Sequence, residues 1–348
     1  MSEAKHIATV VATYWFVSIS MVYLNKILMS SDAVSIEAPL FITWFQCVVT
    51  ALICWMAGRL SQQLQKSADK LPLSDGDSEL SKGHSPIKSF LSQFPRAEYN
   101  PALGKKILPL SCIFVGMITF NNLCLKWVEV SFYNIARCLT LVFNVVLSYV
   151  VLGSSTTLRT GCCLILVICG FCMGIKGEVR FSVIGTMFGM CSSLFVSLNS
   201  IFTKKILPEV DNDHWKLTFY NNVNAAVLFL PFIAYLEAGT LYKALGYQMI
   251  SPIFWAAMMV AGVFGFSIGI VTVMQIKATS PLTHNISGTA KAAFQSMMAF
   301  AIWKNPATMM GISGMFVVLG GSLLYTIVKM REGKMAALSK GGDVEMKK

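Results

Sequence analysis

Two basic residues, Arg137 and Lys291, lie deep inside long apolar stretches of this 348-residue chain. The 17 acidic residues all lie in polar segments or at the ends of apolar stretches, as Glu129 and Glu237 do. A charge near the centre of a bilayer costs at least about 2.5 kcal/mol, so each cation needs a partner or a water-filled cavity. One interpretation is that helix-end carbonyls and water satisfy both cations. The interpretation that we favour is that the partner is an anionic ligand, which binds and leaves.

The lack of acidic residues in these stretches also bears on mechanism. Carriers driven by protons or sodium ions usually hold acidic relays near the middle of the membrane. Exchange of one anion for another needs no relay, so the sequence favours an anion exchanger. A membrane-embedded enzyme would need a nucleophile or an acid–base pair, and His284 stands alone in its stretch. We therefore expect no enzymatic activity. A structural or receptor protein is a further alternative, and such a protein would tolerate neutral substitution of both cations.

A cluster of amides at 219–225, with the sequence FYNNVNA, indicates what lies beside the charge. Asn221 and Asn222 each donate and accept hydrogen bonds, which suits the edge of guanine, and Tyr220 can stack or donate. Hydrogen bonding between helices is the alternative use of such asparagines. The apolar stretches hold other polar residues, which either contact a sugar or form hydrogen bonds between helices. They are Tyr14, Ser18, Asn25, Asn121 and Asn122.

Residues around the cations complete the candidate binding set. Gly288 lies near Lys291, and its missing side chain would let a ligand approach the helix backbone. Lys26, near the end of the first stretch, either reaches the membrane interface or binds the ligand. The set also includes the neighbouring residues Tyr133, Asn285, Ser287 and Thr289.

The apolar stretches that hold these residues are long enough to be membrane helices. The chain is 55% hydrophobic and only 13% charged, which exceeds what one soluble core can bury. Ten stretches approach the ~20 residues of a spanning helix, without the alternation of a barrel strand. They lie at about 8–29, 38–58, 107–127, 131–152, 158–175, 182–203, 216–237, 251–275, 281–303 and 308–328. We predict an all-α membrane protein with ten transmembrane helices.

Basic residues predict the orientation of the chain. If both termini are cytosolic, most of the 28 Lys and Arg residues fall on the cytosolic side, as the positive-inside rule requires. The net charge of +11 is then topological rather than a sign of nucleic-acid binding. A polar segment at about 59–106 indicates a flexible cytosolic loop, and residues 329–348 indicate a basic cytosolic tail.

An internal repeat relates the two halves of the chain. Residues 126–144 align without a gap with residues 277–295, and an odd number of spans per repeat inverts one copy relative to the other. The alignment places Arg137 level with Gly288, about one helical turn from Lys291, so the two cations would approach one cavity. The two predicted five-helix repeats are 1–175 and 176–328.

Three G-x-x-x-G pairs would let helices pack closely. We expect them to serve packing within one protomer, and a homodimer remains open. The pairs are Gly170 with Gly174, Gly185 with Gly189, and Gly265 with Gly269.

Four motifs carry a resemblance to a known family. They are MVYLNK at 21–26, MITFNNLCLKWVEVSFYNIAR at 117–137, LTFYNNVNA at 217–225 and TSPLTHNISGTAKA at 279–292. Over nearly its whole length, the chain resembles the nucleotide-sugar and triose-phosphate transporters of the drug/metabolite transporter superfamily. Within that family, the motifs are most similar to those of the GDP-fucose carriers of the Golgi.

The resemblance implies import of GDP-fucose into the Golgi lumen in exchange for GMP, by alternating access and without a metal ion or other cofactor. Another GDP-sugar, such as GDP-mannose, or an organophosphate is the alternative substrate class. The sequence GTAKA stands where GDP-mannose carriers have GALNK, which argues against mannose as the preferred sugar. The implied location is the Golgi membrane, with the endoplasmic reticulum as a second location. By resemblance, the guanine-binding residues are Asn221 and Asn222, the phosphate-binding residues are Lys291 and Arg137, and Tyr14 contacts the substrate.

Overall fold

The computed structural model describes residues 3–30, 36–69, 98–152, 157–177, 181–246, 248–278, 287–288, 290–298 and 308–345. Within these residues the long regular elements are all helices. The first half of the chain contributes α1 (Glu3–Ser30), α2 (Pro39–Asp69), α3 (Pro101–Trp127), α4 (Val130–Leu152) and α5 (Leu158–Gly177). The second half contributes α6 (Val183–Ile206), α7 (His214–Leu236), the short α8 (Ala238–Leu245), α9 (Pro252–Ala278), α10 (residues 290–298) and α11 (Met309–Glu345).

Within the described residues, nine helices are long and apolar enough to cross a membrane. Because lipid offers no hydrogen bonds, a spanning segment must pair its own peptide groups, and a helix does this along its whole length. The nine helices agree with nine of the ten predicted stretches. The remaining stretch, 281–303, lies largely outside the described residues, although 290–298 are helical. The all-helical prediction is confirmed, whereas the count of ten and the cytosolic termini stay predictions.

The chain divides into two compact units, each of which draws on both halves of the sequence. Unit 1 comprises Met1–Ser31, Gly116–Ile201 and Ser267–Lys348, and unit 2 comprises Asp32–Val115 and Phe202–Phe266. Helices α1, α4, α5, α10 and α11 belong to unit 1, α2, α7 and α8 belong to unit 2, and α3, α6 and α9 contribute residues to both. The repeats at 1–175 and 176–328 divide the chain differently, and they stay a prediction.

In unit 1, α5 and α11 pack so closely that glycines lie on both sides of their contact. A Cβ added to Gly177 would lie 2.1 Å from the backbone nitrogen of Gly311, and one added to Gly314 would lie 2.6 Å from that of Gly174. A side chain at either position would have to push one helix away from the other. A Cβ added to Gly170 would also lie 2.7 Å from the backbone of α11, so the close approach predicted for Gly170 and Gly174 is confirmed within one protomer.

We expect Gly177→Ala to lower the melting temperature of the purified protein, because the added methyl group must separate α5 from α11. Overpacking of this kind costs about 1–3 kcal/mol. Gly320→Ala, on α11, is the matched control, since its added Cβ would meet no atom within 4 Å in the part of the chain that the structure describes. Thermal unfolding in detergent, followed by tryptophan fluorescence, compares the two variants. Equal melting temperatures would contradict the close packing.

In unit 2, the end of α7 is tied to the start of α2. Leu40, Phe229 and Ile233 belong to one buried apolar cluster between these helices. The carboxylate of Glu237, directly after α7, accepts hydrogen bonds from the backbone nitrogens of Leu40 and Phe41, each at 2.8 Å. Such N–H groups at a helix start have no partner within the helix, and an anion there complements the helix dipole. The apolar and polar contacts together fix α7 against α2.

Candidate functional site

Lys291 lies on α10 and contacts α1 within unit 1. Its Nζ donates a hydrogen bond to the hydroxyl of Ser18 and lies 5.3 Å from the centre of the Tyr14 ring. Tyr14 and Ser18 are four residues apart on α1, so they share one helix face, and both are buried. A lysine over a tyrosine ring gains cation–π attraction, which is stronger away from water. These contacts hold the ammonium group but leave its charge unneutralised.

Arg137 lies on α4, where Tyr133, one turn earlier, supports its guanidinium group. The Arg137 Nη1 donates to the Tyr133 hydroxyl at 2.5 Å, and the guanidinium carbon lies 5.8 Å from the centre of the same ring. Tyr133 is buried, whereas the Arg137 side chain is exposed. Asn134, three residues before Arg137, donates a hydrogen bond from Nδ2 to the hydroxyl of Ser296 on α10 at 3.0 Å, so α4 packs against the helix that carries Lys291. The structure thus brings the two predicted cations into one neighbourhood of unit 1.

Among the described residues, no carboxylate balances this pair of cations. Ion pairs there join Lys106 to Glu209, Lys216 to Asp211, and Lys329 to Glu332. Arg137 and Lys291 bond instead to neutral hydroxyls. Two like charges in a low-dielectric setting repel each other, and a bound anion removes that repulsion while it accepts hydrogen bonds from both. The pair therefore suits an anionic group such as a phosphate.

Ser287 and Gly288 precede Lys291 and differ in their surroundings. The Ser287 hydroxyl accepts hydrogen bonds from Trp15 Nε1 at 2.8 Å and from Gln275 Nε2 at 3.0 Å. This serine therefore joins α1 and α9 at the start of the Lys291 segment. A Cβ added to Gly288 would meet no atom of the described residues within 4 Å, so these residues leave space for a ligand beside its backbone.

Sequence reasoning did not identify Trp15 or Gln275 as part of this region. A buried polar side chain needs a hydrogen-bond partner, and for Gln275, which is fully buried in an apolar stretch, this rule is a usable signal. Trp15 gives no such signal, because tryptophan is common in membrane helices for its amphipathic ring alone. Asn285 and Thr289 lie outside the described residues, and their binding roles stay predictions.

Lys26 caps the turn that joins α3 to α4. Its Nζ donates to the carbonyl oxygens of Leu125 at 2.5 Å and Val128 at 3.1 Å, where the end of a helix leaves carbonyls without a helical partner. A lysine there also complements the negative end of the helix dipole. This placement gives Lys26 a structural use, and its binding role stays a prediction. The neighbouring candidates are Asn25 and Asn122, which are buried, and Asn121, which accepts a hydrogen bond from Ser192.

The FYNN motif lies on the first turns of α7, in unit 2. Asp213 starts this helix, because its side chain accepts hydrogen bonds from the backbone nitrogens of Trp215 at 2.8 Å and Lys216 at 3.2 Å. The side-chain oxygen of Asn221 is buried and has no hydrogen-bond partner among the described residues. An unpaired buried acceptor costs about 1–3 kcal/mol. Asn221 therefore has the capacity to accept a hydrogen bond from a ligand.

The other two residues of the predicted base site, Tyr220 and Asn222, have hydrogen-bond partners. Asn222 Nδ2 donates to the backbone carbonyl of Thr218 on the same helix at 2.9 Å. Tyr220 is only 3% exposed. Its hydroxyl donates to the carbonyl of Glu98 at 3.0 Å and accepts from the backbone nitrogen of Asn100 at 2.9 Å. The segment before α3 thus engages the hydroxyl that was predicted to contact a base.

The described part of the chain contains no group of three or more His, Cys, Asp and Glu side chains that could hold a metal ion. The chain's 10 cysteines are free thiols.

Comparison with known proteins shows which carriers this chain is related to. Residues 5–326 match the sequence profile of the Triose-phosphate Transporter family. The chain belongs to this family. It is therefore a transporter rather than an enzyme, and the resemblance to nucleotide-sugar and triose-phosphate transporters is confirmed. The long apolar helices are accordingly those of a multi-pass membrane protein.

Several curated relatives match the chain along nearly its whole length. GDP-fucose transporter 1 of Nematostella vectensis is 44% identical over 342 residues, which cover 97% of this chain and 93% of that protein. GDP-fucose transporter 1 of Mus musculus is 44% identical, over 94% of this chain and 84% of that protein. The protein named GDP-fucose transporter, Golgi, of Drosophila melanogaster is 41% identical, over 93% of this chain and 90% of its own length.

A solved structure, titled only as the crystal structure of a protein, resembles this chain in fold. It superposes with a TM-score of 0.53 and covers 92% of this chain and 98% of its own. The two sequences are 12% identical, so the likeness concerns the fold alone.

Proposed function

We propose that this protein carries GDP-fucose across the Golgi membrane into the lumen in exchange for GMP. The observation that carries the proposal is its identity of 41–44% to three proteins named GDP-fucose transporters, over at least 93% of the chain. The cation pair of unit 1 supports it, because GDP-fucose carries a diphosphate and GMP carries a phosphate. Lys291 and Arg137 together bind the diphosphate of GDP-fucose during import and the phosphate of GMP during the return step.

The unneutralised cations favour exchange over one-way transport. An empty carrier that changes its access must close its site over Lys291 and Arg137 without an anionic partner, and enclosing an unpaired charge costs several kcal/mol. A bound phosphate removes much of this cost, so the loaded carrier reorients more readily than the empty one. GMP suits the return step, because it keeps both the guanine and a phosphate.

Recognition of the base is assigned to Asn221 and Asn222. Guanine presents N–H donors and carbonyl and ring acceptors along its edge, and amides match both kinds of group. The buried, unpaired oxygen of Asn221 supports this assignment. Tyr14, beside Lys291, is assigned to the substrate as well. Two inverted five-helix repeats, with both termini in the cytosol, give the carrier its alternating access.

Uptake of radiolabelled GDP-fucose by proteoliposomes tests the identity of the substrate. We expect GDP-fucose, GDP and GMP to compete, and UDP-sugars and CMP-sialic acid not to compete, because only the first group carries guanine. Stronger competition by GDP-mannose or by phosphoenolpyruvate would assign the same family fold to another GDP-sugar or to an organophosphate. Uptake no greater than that of protein-free liposomes would contradict the proposal.

A further inference from the structure

Residues 98–104, which we call the strap, lie against α7 within unit 2. The Tyr220 hydroxyl bridges the strap backbone, since it donates to the Glu98 carbonyl at 3.0 Å and accepts from the Asn100 nitrogen at 2.9 Å. The rings of Tyr99 and Tyr220 have their centres 5.1 Å apart. Aromatic side chains with a hydroxyl combine apolar contact with a directed hydrogen bond. The strap is thus held on α7 by both kinds of interaction.

Asn224, one helical turn after Tyr220, makes the second half of this contact. Its side-chain oxygen accepts from the Tyr99 hydroxyl at 2.7 Å, and its nitrogen donates to the Gly104 carbonyl at 3.0 Å and the Ser111 hydroxyl at 3.2 Å. These bonds use both donors of a buried amide and one of its acceptor sites. Burial raises the pKa of Tyr99, and the nearby Tyr220 raises it further. A tyrosine hydroxyl is protonated at neutral pH even without such a shift, so Tyr99 can donate to Asn224.

A glycine leaves room for Tyr99 on the strap. A Cβ added to Gly104 would lie 2.1 Å from the Tyr99 hydroxyl oxygen and 2.7 Å from the ring carbon that bears it. A side chain at position 104 would therefore displace the Tyr99 hydroxyl from Asn224. Gly104, Tyr99 and Asn224 fit one another as a set. An incidental contact between a loop and a helix would not need three matched residues.

Tyr220 and Asn224 face the strap, whereas the two asparagines of the predicted base site take part in none of its contacts. At about 100° per residue, Tyr220 and Asn224 lie on one side of α7. Asn222 lies on nearly the opposite side, and Asn221 lies on the flank. The strap therefore holds one face of the helix and leaves the candidate base-binding amides out of its hydrogen bonds.

We propose that the strap fixes the rotation and height of α7, so that Tyr220 and Asn224 position Asn221 and Asn222 for the base without contacting it. The inference rests on the proposed function, because it concerns the guanine that this function requires. Hydrogen bonds weaken steeply when their length or angle departs from the optimum. A small rotation of α7 would therefore disturb both amide contacts at once. Tyr99 and Gly104 act one step further away, through Asn224.

Tyr99→Phe and Tyr220→Phe test the strap, because each removes a hydroxyl and keeps the ring. Tyr235→Phe is the matched control, since it removes a hydroxyl from the same helix at a position that is 88% exposed. The first measurement is competition by GMP and by UMP for uptake of labelled GDP-fucose. We expect the preference for GMP to fall about fivefold in either strap variant, the equivalent of one hydrogen bond. Tyr235→Phe should keep the wild-type preference.

The second measurement is hydrogen exchange of the backbone amides at 217–225 in nanodiscs, which requires no substrate. We expect exchange to be about fivefold faster in both strap variants. Local opening of α7 then has one hydrogen bond fewer to break, so it costs less free energy. Gly104→Ala should show both effects, since it displaces Tyr99 without deleting a polar group. If Tyr220→Phe fails to fold, Tyr99→Phe still provides the test, because the Tyr99 side chain is 42% exposed.

The possible outcomes separate this inference from the proposed function. Unchanged hydrogen exchange of the α7 amides in Tyr99→Phe and Gly104→Ala would overturn the proposal that the strap stabilises α7. Faster exchange with an unchanged preference for GMP would overturn its positioning role. A wild-type protein that transports without regard to the base would contradict the proposed function, and it would overturn the positioning role with it.

Discussion

We expect Lys291→Ala to lower GDP-fucose uptake by about 100-fold, because the diphosphate loses one of the two cations that hold it. The loss should extend to GDP and GMP as inhibitors, since both carry phosphate. Guanosine carries none, so the variant should bind guanosine as the wild type does. Initial uptake rates per reconstituted protein, together with inhibition constants for these three compounds, measure the effect.

Three further variants define this result. Lys291→Arg keeps the charge but changes the arrangement of donors, so it should retain part of the transport. Lys243→Ala removes an exposed lysine from α8 and should leave transport unchanged. Arg137→Gln should lose transport to a similar extent as Lys291→Ala, because both cations are assigned to the phosphate groups of the substrate. Full transport by Lys291→Ala would contradict phosphate binding by this pair.

We expect Asn221→Ala and Asn222→Ala to relax the selection of guanine while they spare recognition of phosphate. A base that loses an amide partner leaves a donor or acceptor unpaired, at a cost of about 1–3 kcal/mol. The preference for GMP over UMP should therefore fall about tenfold or more in each variant. Inhibition constants for GMP, AMP, UMP and CMP, measured against labelled GDP-fucose, give this preference directly.

Asn199→Ala is the matched control for the two amide variants. Its side-chain oxygen is also buried and lacks a partner among the described residues, but it lies on α6 outside the candidate set. We expect it to keep the wild-type preference for GMP. An undiminished preference in both Asn221→Ala and Asn222→Ala would rule out base recognition by these amides. An equal loss for every nucleotide would indicate damage to the fold or to phosphate binding instead.

The long helices were predictable because a bilayer demands both length and apolar composition, and both are visible in a sequence. Helix ends were less predictable. Helix α2 continues to Asp69, beyond the apolar stretch at 38–58, because a helix does not have to end where its apolar residues end. The start of α7 depends on the cap formed by Asp213, which hydropathy does not detect.

The site was predictable as separate charges but not as a set of contacts. A cation inside an apolar stretch is conspicuous in the sequence, which is how Arg137 and Lys291 were found. Their partners depend on packing, since Lys291 bonds to Ser18 from the far end of the chain. For Lys26, two interpretations were open, and only the turn between α3 and α4 reveals the carbonyls that it caps.

The FYNN motif shows the same limit in another form. Its residues are adjacent in the sequence, and so they were predicted to serve one ligand together. On a helix, adjacent residues point in different directions, and the Tyr220 hydroxyl bonds to residues more than a hundred positions earlier in the chain. A hydropathy or motif analysis contains no information about that partner.

Uptake of radiolabelled GDP-fucose into proteoliposomes preloaded with GMP tests the central claim most directly, with vesicles that contain UMP or buffer alone for comparison. Two unneutralised cations make the empty carrier slow to reorient, so we predict uptake about tenfold faster with internal GMP than with buffer. Internal UMP should give little acceleration, and Lys291→Ala should abolish the effect of GMP. Equal uptake rates into GMP-loaded and empty vesicles would contradict the exchange mechanism.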